Sequence, residues 1–158
     1  GEFALEIGVP FEVAGRRLLV REVDPTRMPT VEVDADRYPY RVETTLNGPS
    51  GPEAQLTDLN SDNQHLVSAD NRAILLHILI GQILEDRETG VRAEEQGWCS
   101  DDAVRVGIWG RRSEQDANSL HVLVYRLRSE MKKAGFDPWF IEKRRKSIRL
   151  RVREVVQG

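Results

Sequence analysis

Residues 118–134 read NSLHVLVYRLRSEMKKA and contain the clearest structural pattern in the sequence. At about 100° per residue, their larger apolar side chains share roughly a third of the helix circumference. They are Leu120, Leu123, Val124, Leu127 and Met131. The opposite face carries Asn118, His121, Val122, Tyr125, Ser129 and Lys132, with Arg126 and Arg128 at its borders. This pattern predicts a helix over residues 118–134 that packs on a core by one face, exposes the other and ends before Gly135.

Two further helices are predicted upstream of this one. The first begins at a cap supplied by Ser68 or Asp70 and runs to about Arg87. Its apolar face consists of Ile74, Leu75, Ile78, Leu79 and Ile83. The second begins near Ser100 and ends at Gly110. Its buried side consists of Val104, Ile108 and Trp109. Residues 111–117 contain few apolar side chains, so they are predicted to form a loop.

A basic hairpin is predicted downstream. Strands over residues 139–141 and 148–152 flank a turn that reads Arg144-Arg145-Lys146-Ser147. In the second strand Ile148, Leu150 and Val152 alternate with Arg149, Arg151 and Arg153. Side chains of a strand point alternately to its two faces, so one face of the hairpin is expected to be buried and the other cationic.

Residues 1–68 are predicted to be β-rich, because alternating or β-branched runs are separated there by Gly, Pro and Asn. The predicted strands are residues 11–13, 17–23, 31–33, 40–46 and 55–59. The fold class is therefore α+β, with an acidic, antiparallel β-rich region over residues 1–68 and a second domain over residues 69–158. Gly1, Glu2 and Phe3 are interpreted as derived from cloning.

Charge is distributed unevenly along the 158 residues, whose net charge is −3. Residues 1–70 contain 6 Lys and Arg against 13 Asp and Glu, whereas residues 111–158 contain 13 against 6. The C-terminal part therefore carries +7, which favours a polyanionic partner. The single cysteine, Cys99, cannot form an intramolecular disulfide, and no run of apolar residues is long enough to span a bilayer. We therefore expect a cytoplasmic protein with no membrane partner.

The sequence contains no recognisable catalytic constellation. Gly-rich phosphate loops and the Gly-x-Ser-x-Gly elbow are absent, and the three histidines lack metal-ligand spacing. Cys99 has no cysteine partner and is interpreted as a packing residue. We therefore expect a protein that is not an enzyme and that has neither a metal nor another cofactor.

Three helices followed by a basic hairpin suit duplex DNA, because the major groove accepts one α-helix and displays distinguishable base edges. Asn118, His121 and Tyr125 can hydrogen-bond to bases, and Val122 can contact a thymine methyl group. Cations at the borders of the helix and at the hairpin tip can contact phosphates. The predicted DNA-binding residues are Asn118, His121, Val122, Tyr125, Arg126, Arg128, Ser129, Lys132, Arg144, Arg145 and Lys146.

The chain from about Asp70 to Val152 resembles the OmpR/PhoB-type winged helix-turn-helix, the output domain of many bacterial response regulators. Three segments carry the resemblance, and their order and spacing match the family: Ile108-Trp109-Gly110, the run from Val122 to Arg128, and Phe140-Ile141-Glu142 with Arg149-Leu150. The resemblance implies that Asn118, Val122, Tyr125 and Arg126 meet bases or phosphates, and that Arg128 and Arg145 meet the DNA backbone. The family's Gly-x-Gly-Tyr wing tip is absent, and an insertion containing residues 94–98 lengthens the link between the first two helices.

Two functions remain open at this point. In the first, the protein is a bacterial, DNA-binding transcriptional regulator that places helix 118–134 in the major groove and the wing, residues 140–153, on the backbone or minor groove. Its partners would be double-stranded DNA and either RNA polymerase or an upstream regulatory domain, and it could act as a homodimer. In the second, the winged helix is a protein–protein interaction module that does not bind DNA, since a fold does not by itself fix a function. The acidic first half keeps this alternative open.

Overall fold

The structure is a computed structural model that describes residues 38–111 and 114–158. It begins with three antiparallel strands, β1 (Tyr40–Gly48), β2 (Gly51–Asp58) and β3 (Gln64–Val67). The C-terminal strand β7 (Glu154–Gln157) pairs in parallel with β1 and completes a sheet of order β3-β2-β1-β7. The strands predicted over 40–46 and 55–59 are confirmed as β1 and β2. The strands predicted over 11–13, 17–23 and 31–33 lie outside the described residues.

The first helix, α1 (Asp70–Glu88), packs on one face of this sheet. Because strand residues alternate between faces, β1 presents Tyr40, Val42 and Thr44 to the helix and buries all three. The buried side chains of α1 are Ala73, Leu75, Leu76, Leu79, Ile80 and Ile83. Thr44 Oγ1 and His77 Nδ1 lie 2.8 Å apart across this layer, and Gln157 Nε2 of β7 donates to the His77 carbonyl at 3.0 Å. A partly buried histidine therefore borders the core between helix and sheet.

His77 makes the stability of the fold depend on pH. Burial lowers the pKa of His77 below the ordinary value of 6.5. The unfolded chain therefore takes up this proton at a higher pH than the folded chain. As a result, the contribution of neutral His77 to the free energy of unfolding is complete above about pH 6.5 and is lost as the pH falls below that value. We expect the free energy of unfolding, measured with urea, to drop between about pH 7.5 and about pH 5.5, and His77→Gln to reduce that drop. An equal drop in the variant and the wild-type protein would contradict this assignment.

Two shorter helices follow α1. Ser100 caps α2 (Asp101–Trp109) by accepting a hydrogen bond from the Ala103 backbone N–H at 3.1 Å. Asp116 caps α3 (Ala117–Lys133) in the same way through Ser119, and this hydrogen bond lowers the pKa of Asp116. The predicted core face of α3 is confirmed, because Leu120, Leu123, Val124, Leu127 and Met131 are all buried. Each of the three predicted helices therefore exists within two residues of its predicted bounds.

The C-terminal part forms a second sheet. Strands β5 (Ile141–Arg144) and β6 (Ser147–Leu150) make an antiparallel hairpin, and β4 (Cys99–Ser100) pairs with β6 to give the order β4-β6-β5. The strand predicted over residues 139–141 is wrong at its first two positions. Pro138–Phe140 form a 3₁₀ turn, in which Asp137 Oδ1 accepts a hydrogen bond from the Trp139 backbone N–H at 2.9 Å. Proline cannot donate to a strand ladder, which favours the turn at this position.

The described part of the chain is therefore α+β, with three α-helices and two small sheets in residues 38–111 and 114–158. Strand β7 returns to pair with β1, so the C-terminal end of the chain joins the sheet that begins at Tyr40. Within the described ranges, no helix has the length and apolar character needed to cross a membrane.

Candidate nucleic-acid interface

The outward face of α3 is a ridge of exposed side chains, and we call it the α3 ridge. It consists of Asn118, His121, Val122, Tyr125, Arg126 and Lys132. Tyr125 projects furthest, with 73% of its surface exposed, and Val122 is 38% exposed. All six residues belong to the set predicted from the sequence. The ridge combines hydrogen-bonding groups, one small apolar group and two permanent cations, which is the chemistry that a helix in a DNA groove requires.

Contacts with the first sheet and α1 hold the C-terminal end of α3 in place. Glu130 accepts hydrogen bonds from both elements, with its two oxygens 2.6 Å from His65 Nε2 and 2.8 Å from Arg72 Nη1. Asn63 Nδ2 donates to the Ala134 carbonyl just beyond the helix at 2.9 Å. Gly135 then turns the chain with a φ of +91°, a conformation that favours glycine. The α3 ridge is therefore presented by a helix that is anchored at its C-terminal end.

Arg128 and Ser129 differ from the other predicted residues of α3, because both are only partly exposed. Arg128 Nη2 donates to the Ile141 carbonyl at 2.6 Å, and its guanidinium carbon lies 4.6 Å from the centre of the Trp139 ring. Burial lowers the pKa of Arg128 from its ordinary value. Arg128 therefore fastens α3 to the start of the hairpin, a role that the sequence pattern did not reveal.

The hairpin tip carries three exposed cations, Arg144, Arg145 and Lys146. Lys146 adopts a φ of +63°, so the tip turns within two residues. Within the described residues none of the three is in an ion pair. Arg144 nevertheless has a partner, because its guanidinium carbon lies 3.9 Å from the centre of the Trp98 ring. Stacking of this kind leaves the in-plane N–H groups of an arginine available to an anion.

The two neighbouring positions Lys143 and Arg144 lie on opposite faces of the hairpin. Lys143 is paired across the ladder with Ile148, which is fully buried, and its ammonium group donates to Asp101 Oδ2 at 2.9 Å. Arg144 is paired with Ser147 on the other face, where Trp98 lies. Arg144, which belongs to the predicted set, therefore points to the face that carries Trp98. Lys143, which does not belong to that set, lies on the face that borders α3.

The predicted cationic face of β6 is wrong at Arg149, which is only 9% exposed. Arg149 Nε donates to Glu142 Oε1 at 2.7 Å, and Nη1 donates to the carbonyls of Glu94 and Gln96 at 3.0 and 3.2 Å. Arg151 is half-buried and lies 3.4 Å from the other oxygen of Glu142. The segment 94–98 thus covers Arg149 with two backbone carbonyls, and Glu142 pairs with its charge.

A groove of about 740 Å³ runs between α3 and the hairpin. Its lining combines part of the α3 ridge with residues that sequence reasoning missed, Trp139 and Lys143. Trp139 is 60% exposed. The tryptophan directly after Pro138 was a usable signal, but the sequence predicted a strand at this position and gave Trp139 no role in binding.

The remaining chemical candidates do not form a site. Cys99 is buried, and burial raises the pKa of its thiol to about 11, in keeping with the predicted packing role. His65 contacts Glu130, His77 contacts Thr44, and His121 lies on the α3 ridge. Within residues 38–111 and 114–158, no group of three or more His, Cys, Asp and Glu side chains could hold a metal ion.

Comparisons with protein-family models, with curated proteins and with solved structures found no match for this chain.

Proposed function

We propose that α1, α2, α3 and the β5–β6 hairpin form a winged helix-turn-helix that binds double-stranded DNA and regulates transcription. The element order supports the proposal: three helices precede the hairpin, and β4 between α1 and α2 joins the hairpin sheet. In this arrangement α3 is the helix that enters the major groove, and the hairpin is the wing that contacts the backbone or the minor groove. An upstream regulatory domain, RNA polymerase and a second copy of the chain are proposed as further partners.

The main support for the proposal is the exposed face of α3. The α3 ridge is exposed along the helix, from Asn118 near its start to Lys132 near its end, whereas the other side of α3 is buried without interruption. The groove connects this ridge to Lys143, so α3 and the first strand of the hairpin line one continuous surface. A helix of 17 residues with this division is long enough to cross a major groove, which is about 12 Å wide.

Binding to mixed-sequence duplexes as a function of salt tests the proposal. DNA binding releases counterions, so the logarithm of the association constant should fall linearly with the logarithm of salt concentration. The slope should be close to −0.9 for each phosphate that is contacted, or about −4 to −6 for a single module of this kind. Selection from random duplexes at low salt would then identify the preferred site. An association constant that does not depend on salt would contradict the proposal.

Sequence preference should depend on the α3 ridge. We expect Tyr125→Ala and Asn118→Ala each to reduce the discrimination between the selected site and a scrambled duplex by about 1–3 kcal/mol, because each removes a contact to a base edge. Competition titrations on the two duplexes measure this difference. The control is Leu66→Ala, an exposed apolar residue on the first sheet, which should leave discrimination unchanged. Equal discrimination in all three variants would mean that α3 does not read the bases.

A protein–protein interaction module is the second candidate function. The exposed aromatic side chains Tyr125 and Trp139 favour it, because tyrosine and tryptophan are enriched at the centres of protein interfaces. The net charge of −7 in residues 1–70 also opposes approach to DNA. The salt titration separates the two candidates, since an interface dominated by apolar contacts would bind with little dependence on salt.

A further inference from the structure

We propose that the groove between α3 and the hairpin binds one segment of the sugar–phosphate backbone of duplex DNA, with Trp139 as a DNA-binding residue. This inference depends on the proposed function and deepens it, because Trp139 lies outside the set of DNA-binding residues that the sequence predicts and the groove assigns one part of the duplex to this surface. The groove lies beside the α3 ridge, so a strand of the duplex that α3 enters would pass along it.

The walls of the groove match the two chemical parts of a DNA strand. Tyr125 on α3 and Trp139 on the following turn both line the groove and are both highly exposed. Their rings offer apolar surface that suits the carbon atoms of deoxyribose. The indole and phenol groups also supply N–H and O–H donors, which suit phosphate oxygens. An occupant with alternating apolar and anionic parts fits this lining better than a uniformly apolar one.

The charge of the groove favours an anionic occupant. Arg128, Lys132 and Lys143 contribute three permanent cations, whereas Asp137 is the carboxylate among the lining residues. Asp137 Oδ1 already accepts the hydrogen bond from the Trp139 backbone that closes the 3₁₀ turn. Lys143 is partly compensated by Asp101, so the excess of charge lies on the α3 side, at Arg128 and Lys132.

The position of Trp139 is held before any ligand binds. The Asp137 backbone N–H donates to the Tyr40 hydroxyl at 2.9 Å, which ties the turn to the first sheet. Phe140 is buried, and its ring lies edge-on to Tyr40 at 5.4 Å between centres. The Arg128 guanidinium lies over the Trp139 ring. A side chain ordered in advance loses little conformational entropy on binding, so its contact contributes more to affinity.

Affinity measurements on three variants test this inference. Trp139→Ala is expected to weaken binding about tenfold on every duplex, with an unchanged salt slope, because it removes a contact to the backbone but no charge. Trp139→Phe should restore affinity to within about threefold of wild type, since an aromatic ring is retained. Leu66→Ala provides the matched control at an exposed apolar site and should bind like the wild-type protein. Wild-type affinity in Trp139→Ala would overturn the inference and leave the proposed function intact.

Tryptophan fluorescence supplies a readout that a purely structural role would not change. Trp98 and Trp109 are partly buried, so Trp139 dominates quenching by acrylamide. Saturating duplex should reduce this quenching in the wild-type protein and change it much less in Trp139→Phe. If single-stranded DNA protected Trp139 from quenching as well as the duplex does, the result would indicate base stacking. If an acidic peptide protected it equally well, the result would indicate a protein partner. Either result would overturn the assignment to the duplex backbone. If no duplex bound the wild-type protein, both the inference and the proposed function would fail.

Discussion

Removing the two cations at the turn of the hairpin is expected to weaken duplex binding about 60-fold at about 0.1 M salt. The variant is Arg145→Gln with Lys146→Asn, because asparagine tolerates the left-handed backbone conformation of position 146. If each cation contacts one phosphate, its loss reduces the salt slope by about 0.9, and the two losses reduce it by about 1.8. If the variant and the wild-type protein bind equally at about 1 M salt, a slope lower by 1.8 produces this loss of affinity at 0.1 M salt. Titrations at several salt concentrations measure both quantities.

The control for this variant is Arg41→Glu, which changes the net charge by the same amount. Arg41 lies on the face of the first sheet that points away from α1, where it pairs with Glu43. Its replacement should change affinity less than about threefold, since only the general attraction between the protein and DNA is altered. Equal losses in the two variants would mean that the hairpin tip acts through net charge and makes no local contact.

Replacement of Arg149 by alanine is expected to reduce the free energy of unfolding by about 3 kcal/mol. The Arg149 side chain is buried and donates to Glu142 and to the carbonyls of Glu94 and Gln96. Its loss leaves these acceptors without their donor beneath the covering segment, and an unpaired buried polar group costs roughly 1–3 kcal/mol. Urea unfolding at neutral pH measures the difference.

The exposed ion pair of Arg41 and Glu43 supplies the comparison for Arg149. Its side chains are 40% and 43% exposed, so Arg41→Ala should change stability by less than about 1 kcal/mol. A loss of similar size for Arg149→Ala would show that the network around Glu142 contributes no more than a surface pair. The covering segment 94–98 would then have little to do with the stability of the hairpin.

The sequence predicted the helices well because the information that defines them is local. The cap at Ser100, the glycine at position 135 and a period of 3.6 residues helped to set their bounds. The predicted cap of α1 at Ser68 or Asp70 is wrong, because the N-cap residue is Ala69 and makes no side-chain hydrogen bond. The exposed side of α3 followed from the same periodicity, since burial of Leu120 and Leu127 places Tyr125 outside. Six of the predicted DNA-binding residues lie together on the α3 ridge for this reason.

The features that sequence reasoning missed depend on long-range contacts. Strand β7 has only four residues and pairs with β1 more than 100 positions away, a parallel pairing that no local pattern encodes. Alternation along β6 marked Arg149 as exposed, because neither Glu142 nor the carbonyls of residues 94 and 96 can be placed from the sequence. Arg128 was likewise predicted to be available to DNA, because its hydrogen bond to the Ile141 carbonyl cannot be seen in the sequence. In each case a distant partner decides the environment of the side chain.

The proposed function requires that the α3 ridge and the hairpin tip together form a surface that binds duplex DNA. NMR titration of the ¹⁵N-labelled chain with a selected duplex tests it most directly. We predict that the backbone amides from Asn118 to Lys132 and from Trp139 to Lys146 change most, while those of β1, β2 and β3 change little. Large changes confined to the first sheet, with the α3 ridge unaffected at saturation, would rule out the proposed DNA-binding surface.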